Sequence, residues 1–445
     1  MRKQLSTLEN DRYRRLGFVV VTPYGPDDGG DFGPNTPGTR TAGIQEAIDY
    51  ATSHFLNLFI AGVQSGTSGR GEFLYWTSDR GWVPIEGAKH RWYYTHEPIR
   101  VPPTHGFRID ARQAIIVYEG SGGAVLQIDS CMDAHYRFGI LVQNKRRDHE
   151  EDGAVVLIKP ERPVPLDNFA VATDSTFEFS SLSGGGLFDF DSWQIVRKPY
   201  GGGLVLDASR APILYNRFFV SAILLAEKNV YLTGKKCSNN WIHVMHNQQS
   251  TTHLQIGDEH SQPSNNRFDM SINANQLEDS TGARIFGHSN LLTIDIQKAS
   301  PGRDIVFETT ARDNVVTALT HFYPPGSSNP TRNQTSLTEL KELSVTNLAK
   351  EPTNRITSSR SAGFKIPTPN FPSSGEKLVN RTCHKIEAMI VEPGQVSNWS
   401  LIDANGESLV INGGISAGQG ISLEPGDQIT FTYTSAPEWR WRAVS

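Results

Sequence analysis

The sequence predicts an all-β protein built on a right-handed parallel β-helix, and three observations carry that prediction. The stretches "SNNWIHVMHN" from Ser238 and "SNNRFDMSIN" from Ser264 are near copies. Their second Asn belongs to a series, Asn216, Asn240, Asn266, Asn290 and Asn314, at intervals of 24, 26, 24 and 24 residues. A fixed period in this range marks stacked repeats. After each Asn, large apolar residues alternate with other types, as in Phe218 and Val220, Ile242 and Val244, or Leu292, Ile294 and Ile296. Period-two alternation describes a strand with one buried face. A second apolar run follows in each repeat ("KNVYLTG", "THLQIGD", "ARIFGH", "RDIVFET"). A repeat of this length thus holds at least two strands and leaves no room for a crossover helix. One coil of a parallel β-helix fits, with like residues stacked about 4.8 Å apart. The recurrent Asn is then an amide ladder at a bend.

The elements follow in order. Residues 1–65 read as an N-terminal cap. In "TRTAGIQEAIDYATSHF", Ile44, Ile48, Ala51 and Phe55 form an apolar stripe along one helix face, and Thr39 or Thr41 is placed to cap it. Such a helix hides the unpaired edge of a first coil. The β-helix spans 66–325, with irregular early coils, a charged loop "NKRRDHEEDG" and regular coils from about Ala211 to Thr320. Residues 326–376, opening with "GSSNPTRNQTS", read as a linker. Residues 377–445 form a small β-sandwich, hinged on Glu392-Pro393-Gly394 and Glu424-Pro425-Gly426, with a turn at Asn405-Gly406. Trp439 and Trp441 alternate there with Arg440 and Arg442, and we expect core aromatics or a subunit contact rather than a glycan-stacking face.

Bulk properties narrow the function. The 445 residues include 40 Gly and 25 Pro and are only 20% charged, which suits a turn-dense β protein. A net charge of −5 without a basic stripe argues against a nucleic-acid partner. No long apolar run exists for membrane insertion, and the polar start "MRKQLSTLENDRYRRL" holds no signal peptide. Cys131, Cys237 and Cys383 match no zinc-ligand spacing, and His253, His260 and His288 do not fall at ligand spacing. No metal or cofactor is expected.

"DDGGDFGPNTPGTRTAGIQEAIDYA" resembles the N-terminal signature of the pectate-lyase-like β-helix superfamily. The matching pieces are Asp28-Gly29, Thr41-Ala42, Ile44-Gln45 and Ala47-Ile48-Asp49, interrupted by a Gly/Pro-rich insertion and by Gly43. The resemblance implies the fold more than the activity, because that superfamily holds hydrolases, lyases, epimerases, transferases and phage tailspikes. The polygalacturonase motifs Asn-Thr-Asp, Gly-His-Gly and Arg-Ile-Lys are missing. The retained Met1, the linker and the terminal β domain resemble a virion tailspike, which implies a homotrimer at a virion surface or outside a cell.

Registering the coils on Asn exposes candidate chemistry. Three positions after each Asn stand Phe219, His243, Asp269 and Thr293, with Glu178 of "TFEF" in the same column. One position after stand Arg217, Trp241, Arg267 and Leu291. Five after stand Ser221, Met245, Ser271 and Asp295, and seven after stand Ile223, Asn247, Asn273 and Gln297. Non-repeating polar residues on a repetitive face are the informative ones. His243 and Asp269 become neighbours, and Asp269 and Asp295 lie one coil and two residues apart, about 8 Å between backbones. That separation suits a pair of carboxyls in glycoside hydrolysis. In a lyase, His243 takes a proton beside a sugar carboxylate held by arginine. We therefore assign Asp269, Asp295 and His243 as catalytic candidates. Arg267, Trp241, Asn273, Arg217 and Glu178 are the substrate-binding ones. The expected function is a tailspike-like protein that binds and cleaves a cell-surface polysaccharide as hydrolase or lyase. The alternatives are a free carbohydrate-active enzyme (glycoside hydrolase, lyase or glycosyl transferase) and a non-catalytic virion structural or receptor-binding protein.

Overall fold

The computed structural model describes residues 2–62, 74–77, 81–84, 92–120, 122–144, 153–165, 167–189, 194–272, 280–298, 303–322, 344–358, 366–404 and 406–444. Most of these strands lie in long stacked parallel sheets, an arrangement compatible with a parallel β-helix. The first sheet has 12 strands, the second 9 and the third 5, and the chain visits them in rotation. One circuit runs through Ile213–Leu214 in the third sheet, Arg217–Leu224 in the first and Lys228–Thr233 in the second, then returns to the third at Cys237–Ser238. Isolated bridges from Ser238 to Ser264, from Ser264 to His288 and from His288 to Arg312 carry the third wall onward.

The expected Asn ladder stands at the bend into the first sheet. Nδ2 of Asn216, Asn240, Asn266, Asn290 and Asn314 each donates to Oδ1 of the next ladder residue, at 3.1, 3.0, 3.2, 3.0 and 2.8 Å, ending on Asn354. That same Oδ1 also accepts the backbone N–H of the preceding ladder residue, for example Asn240 N to Asn266 Oδ1 at 3.0 Å. Every ladder Asn is at most 1% exposed, so each amide answers backbone groups that water cannot reach. Two earlier coils continue the column without Asn: Ser175 N donates to Asn216 Oδ1, and Ala134 N donates to Ser175 Oγ. The bend itself needs a left-handed residue just before the ladder. Asp133, Asp174, Tyr215, Asn239, Asn265, Ser289 and Asp313 all have φ between 51° and 58°. Asn and Asp tolerate that region best, which explains the doubled Asn-Asn in two coils.

One buried cluster runs from Val19 to Ile356 through the inward residues of the three sheets and takes in Cys383. Helix α2 (Ile44–Ser53) adds Ile44, Ala47, Ile48 and Ala51 to it. Its start differs in detail from expectation. Gly43 is the N-cap at φ 80°, and the two threonines act from upstream: Thr39 Oγ1 accepts from Gly43 N and Thr41 Oγ1 from Gln45 N. Phe55 departs from the stripe altogether. The helix ends at Ser53, and Phe55 takes φ 55° and stands 92% exposed.

Helix α1 (Arg2–Arg15) lies beside strand Phe18–Val21. Tyr13 stacks on Phe59 at 3.6 Å with the rings 6° apart, Asn10 Nδ2 donates to Asp28 O at 3.3 Å, and Arg14 pairs with Asp31 at 3.0 Å. No helix is long and apolar enough to cross a membrane among the described residues.

From residue 377 the sheets become antiparallel. One runs Lys377–Val379, Gln428–Ser435, Gln395–Ile402, Ser408–Asn412, and the other Gly420–Leu423, Ile386–Glu392, Glu438–Ala443. Both feed a second buried cluster that contains Trp399, Phe431, Trp439 and Trp441, so the two C-terminal tryptophans are core residues. Ile356 N donates to Cys383 O at 2.8 Å and Asn347 Nδ2 to Arg381 O at 3.1 Å, tying this region to the last parallel strands. The three cysteines are free and buried. Asn405 and the loop at 145–152 lie outside the described residues.

Candidate functional site

Parallel register arranges the outward residues of the first sheet in two adjoining columns. One contains Arg108, His135, Thr176, Arg217, Trp241, Arg267, Leu291, Val315 and Arg355. The other contains Asp110, Arg137, Glu178, Phe219, His243, Asp269, Thr293, Thr317 and Thr357. None of these side chains is buried. They alternate with inward residues such as Ile242, Val244, Phe268 and Met270, all in the core. The strand period therefore fixes which residues face out, and the coil period fixes which of them meet.

In the middle coils the columns bring together Arg217, Trp241, Arg267, Phe219, His243 and Asp269. Asp269 is the hub. Trp241 Nε1 donates to its Oδ2 at 2.6 Å and Arg267 Nε to the same oxygen at 3.1 Å. The Arg267 guanidinium also lies 5.3 Å from the Trp241 ring centroid. Phe219 meets Trp241 edge-on at 5.4 Å and His243 at 6.3 Å. His243 is the register neighbour of Asp269. Among the described residues no hydrogen bond joins the two, because the Asp269 carboxylate is turned toward Trp241 and Arg267. Asp295 pairs in register with Ser271, two residues along from Thr293, the neighbour of Asp269. It is thus offset from Asp269 by one coil and two residues. Arg217 adjoins Trp241 and has no carboxylate partner among the described residues.

Glu178 stands in the column of His243 and Asp269, two coils before His243. It belongs to a separate cluster. His135 Nε2 lies 3.1 Å from its Oε1 and Arg137 Nε 3.2 Å from its Oε2. One coil earlier Arg112 grips Asp110 with two hydrogen bonds, at 2.9 and 2.8 Å, and Tyr13 of α1 donates to it at 3.2 Å. Burial pushes the Asp110 carboxyl up, but the hydrogen bonds and charge of Arg112 outweigh it and hold the group below its ordinary value. Burial and the Asp110 charge push the Tyr13 hydroxyl up. Asp110, Arg112, His135 and Arg137 escape the sequence reading because Phe107 and Ala134 stand where the ladder Asn would be in their coils. The available signal was the left-handed Asp at 133 and 174.

Asn273 lies outside the described residues. The equivalent positions in earlier coils, Ile223 and Asn247, are buried rather than outward-facing. A register shift between Val244 and Asn247 turns the strand there, and the same shift leaves His246 exposed, where simple alternation would send it inward. His253, by contrast, is buried. Its Nδ1 sits 2.7 Å from Asn247 Oδ1, and burial lowers its pKa to about 3. Burial pushes the Cys131 and Cys383 thiols up to about 12 and the Cys237 thiol higher still, so none is a ready nucleophile. No cluster able to hold a metal ion occurs among the described residues. A scan against protein-family models and a search of curated proteins both give no match.

Proposed function

We propose that the outward face of the first sheet binds an extended surface polysaccharide across the Arg217–Trp241–Arg267 row and cleaves it beside His243, Asp269 and Asp295. The observation that carries this reading is the Trp241–Asp269 hydrogen bond of 2.6 Å, with Arg267 on the same carboxylate. It fixes an aromatic plane, a cation and an acid in one partly exposed patch. Trp241 offers its face to a pyranose ring, and Arg217 offers donors that no carboxylate among the described residues engages. Asp269 and Asp295, offset by one coil and two residues, would act as the carboxyl pair flanking a glycosidic bond. In hydrolysis one of them protonates the leaving oxygen while the other attacks or activates water. In a lyase His243 removes a proton next to a carboxylate that arginine neutralises.

On this reading the chain is a tailspike-like member of the pectate-lyase-like superfamily, with right-handed coils, α2 closing the first of them and three copies assembled outside the cell or on a virion. The resemblance around Asp28-Gly29 and Ala47-Ile48-Asp49 supports that assignment. The test is incubation with a panel of host surface polysaccharides, following reducing ends and the absorbance of unsaturated sugars. We expect new reducing ends, and their loss in Asp269→Asn with the melting temperature unchanged. Binding without cleavage by the native protein would leave a receptor-binding role, and full activity in Asp269→Asn would remove the proposed centre.

A further inference from the structure

Strand Ser408–Asn412 is the last strand of its antiparallel sheet and bonds on one side only, to Gln395–Ile402. Asp403 N donates to Glu407 O at 3.0 Å and Gly413 N to Ser397 O at 3.1 Å. Antiparallel alternation therefore gives Leu409 and Ile411 the bonds to Gln395–Ile402 and turns the backbone groups of Ser408, Val410 and Asn412 to the free edge. Such edges are ordinarily blunted by Lys, Pro, a bulge or a covering element. Among the described residues Ser408–Asn412 has none of these. It reads Ser-Leu-Val-Ile-Asn, with Leu409 57% and Val410 61% exposed.

We infer that the free edge Ser408–Asn412 pairs antiparallel with the same edge of a second copy of this chain, about a two-fold axis through Val410. Three features select that occupant. With the axis at Val410, Ser408 meets the second copy's Asn412, so the outward N–H and C=O groups of all three residues find partners in one register. Leu409 and Ile411 stand on the sheet face of Leu401 and Trp399, and Ile411 already packs against the C-terminal core. Pairing lays Leu409 against the second copy's Ile411 and continues that apolar layer across the axis. The register also sets Glu407 opposite Gly413, so no like charges face one another. This surface is independent of the glycan reading, and it joins chains whatever assembly the parallel sheets form.

The test is sedimentation velocity of the full chain from about 1 to about 100 μM, the range in which so short an interface exchanges. The native protein should approach twice its low-concentration mass. Val410→Pro removes an N–H that points only to the free edge, and should hold the low-concentration mass throughout. Leu409→Lys, which keeps the backbone intact, should do the same and carries the test if the proline variant loses its tryptophan fluorescence signature. A native mass independent of concentration, or variants that assemble as the native chain does, would overturn the pairing and leave the edge to a different chain.

Discussion

Asn240, Asn266 and Asn290 repeat one amide at one bend, while the residues that directly follow them, Trp241, Arg267 and Leu291, share nothing but a column. The first group faces the interior at the bend, and the second faces solvent at the start of the strands that follow. Inside, each side chain must satisfy or fill what the coil above and below presents, so identity repeats. Outside, solvent relaxes that demand, and a residue that costs nothing to fold can be retained for what it touches. Substitutions inside should therefore damage stability, and substitutions outside should damage binding with little change in melting.

The largest effect is expected from Asn266→Ala. The change strips the Asn240 N–H of its acceptor, removes one of the acceptors of Asn240 Nδ2, and deletes donors to Asn290 Oδ1 and to the carbonyls of Cys237 and Ser264. Leaving buried polar groups unpaired should cost about 3–5 kcal/mol in a denaturant titration. A loss similar to that of an exposed substitution would contradict a structural ladder.

Acid gives the next effect. His253 is neutral in the fold down to about pH 3, against an ordinary value of 6.5, because burial disfavours its charged form. The unfolded chain takes up a proton below 6.5 and the folded chain does not. Stability thus falls as pH drops from 6.5 toward 3, at most by roughly 1.4 kcal/mol per unit. His384, lowered by burial to about 4, acts in the same direction. His253→Gln should flatten the slope of melting temperature against pH between 6.5 and about 4.5, leaving the His384 part. An unchanged slope would show that His253 is reached by solvent.

The smallest effect belongs to the outward ion pairs. Glu178→Gln breaks partly exposed contacts with His135 and Arg137, which should cost about 0.2–1 kcal/mol and leave glycan affinity intact. A large loss of affinity would move the site toward the first coils.

The long parallel sheets were legible because parallel stacking writes contacts into the sequence as a period. Asn216 to Asn314 announce the coils, and the apolar alternation after each gives the strand and its inward face. The register that joins His243 to Asp269 and Trp241 to Arg267 followed from the same count. Legibility failed where stacking changes its terms. The turn of strand between Val244 and Asn247 put His246 outside and Asn247 inside, and nothing local marks such a shift. The orientation of the Asp269 carboxylate toward Trp241 rather than His243 depends on side-chain rotamers, which no period encodes. The cluster around Asp110 was hidden because Tyr13 reaches it from α1, 97 residues away in the chain, by tertiary packing.

The most direct test of the account is the affinity of the native protein and of Trp241→Ala, Arg217→Ala and Glu178→Gln for the same polysaccharide, measured by titration calorimetry beside melting curves. Loss of about tenfold or more, 1.4 kcal/mol, in the first two variants at native melting temperature, with Glu178→Gln near native affinity, is the predicted pattern. Native affinity in Trp241→Ala and Arg217→Ala together would contradict the claim that the middle of the first sheet's outward face holds the glycan.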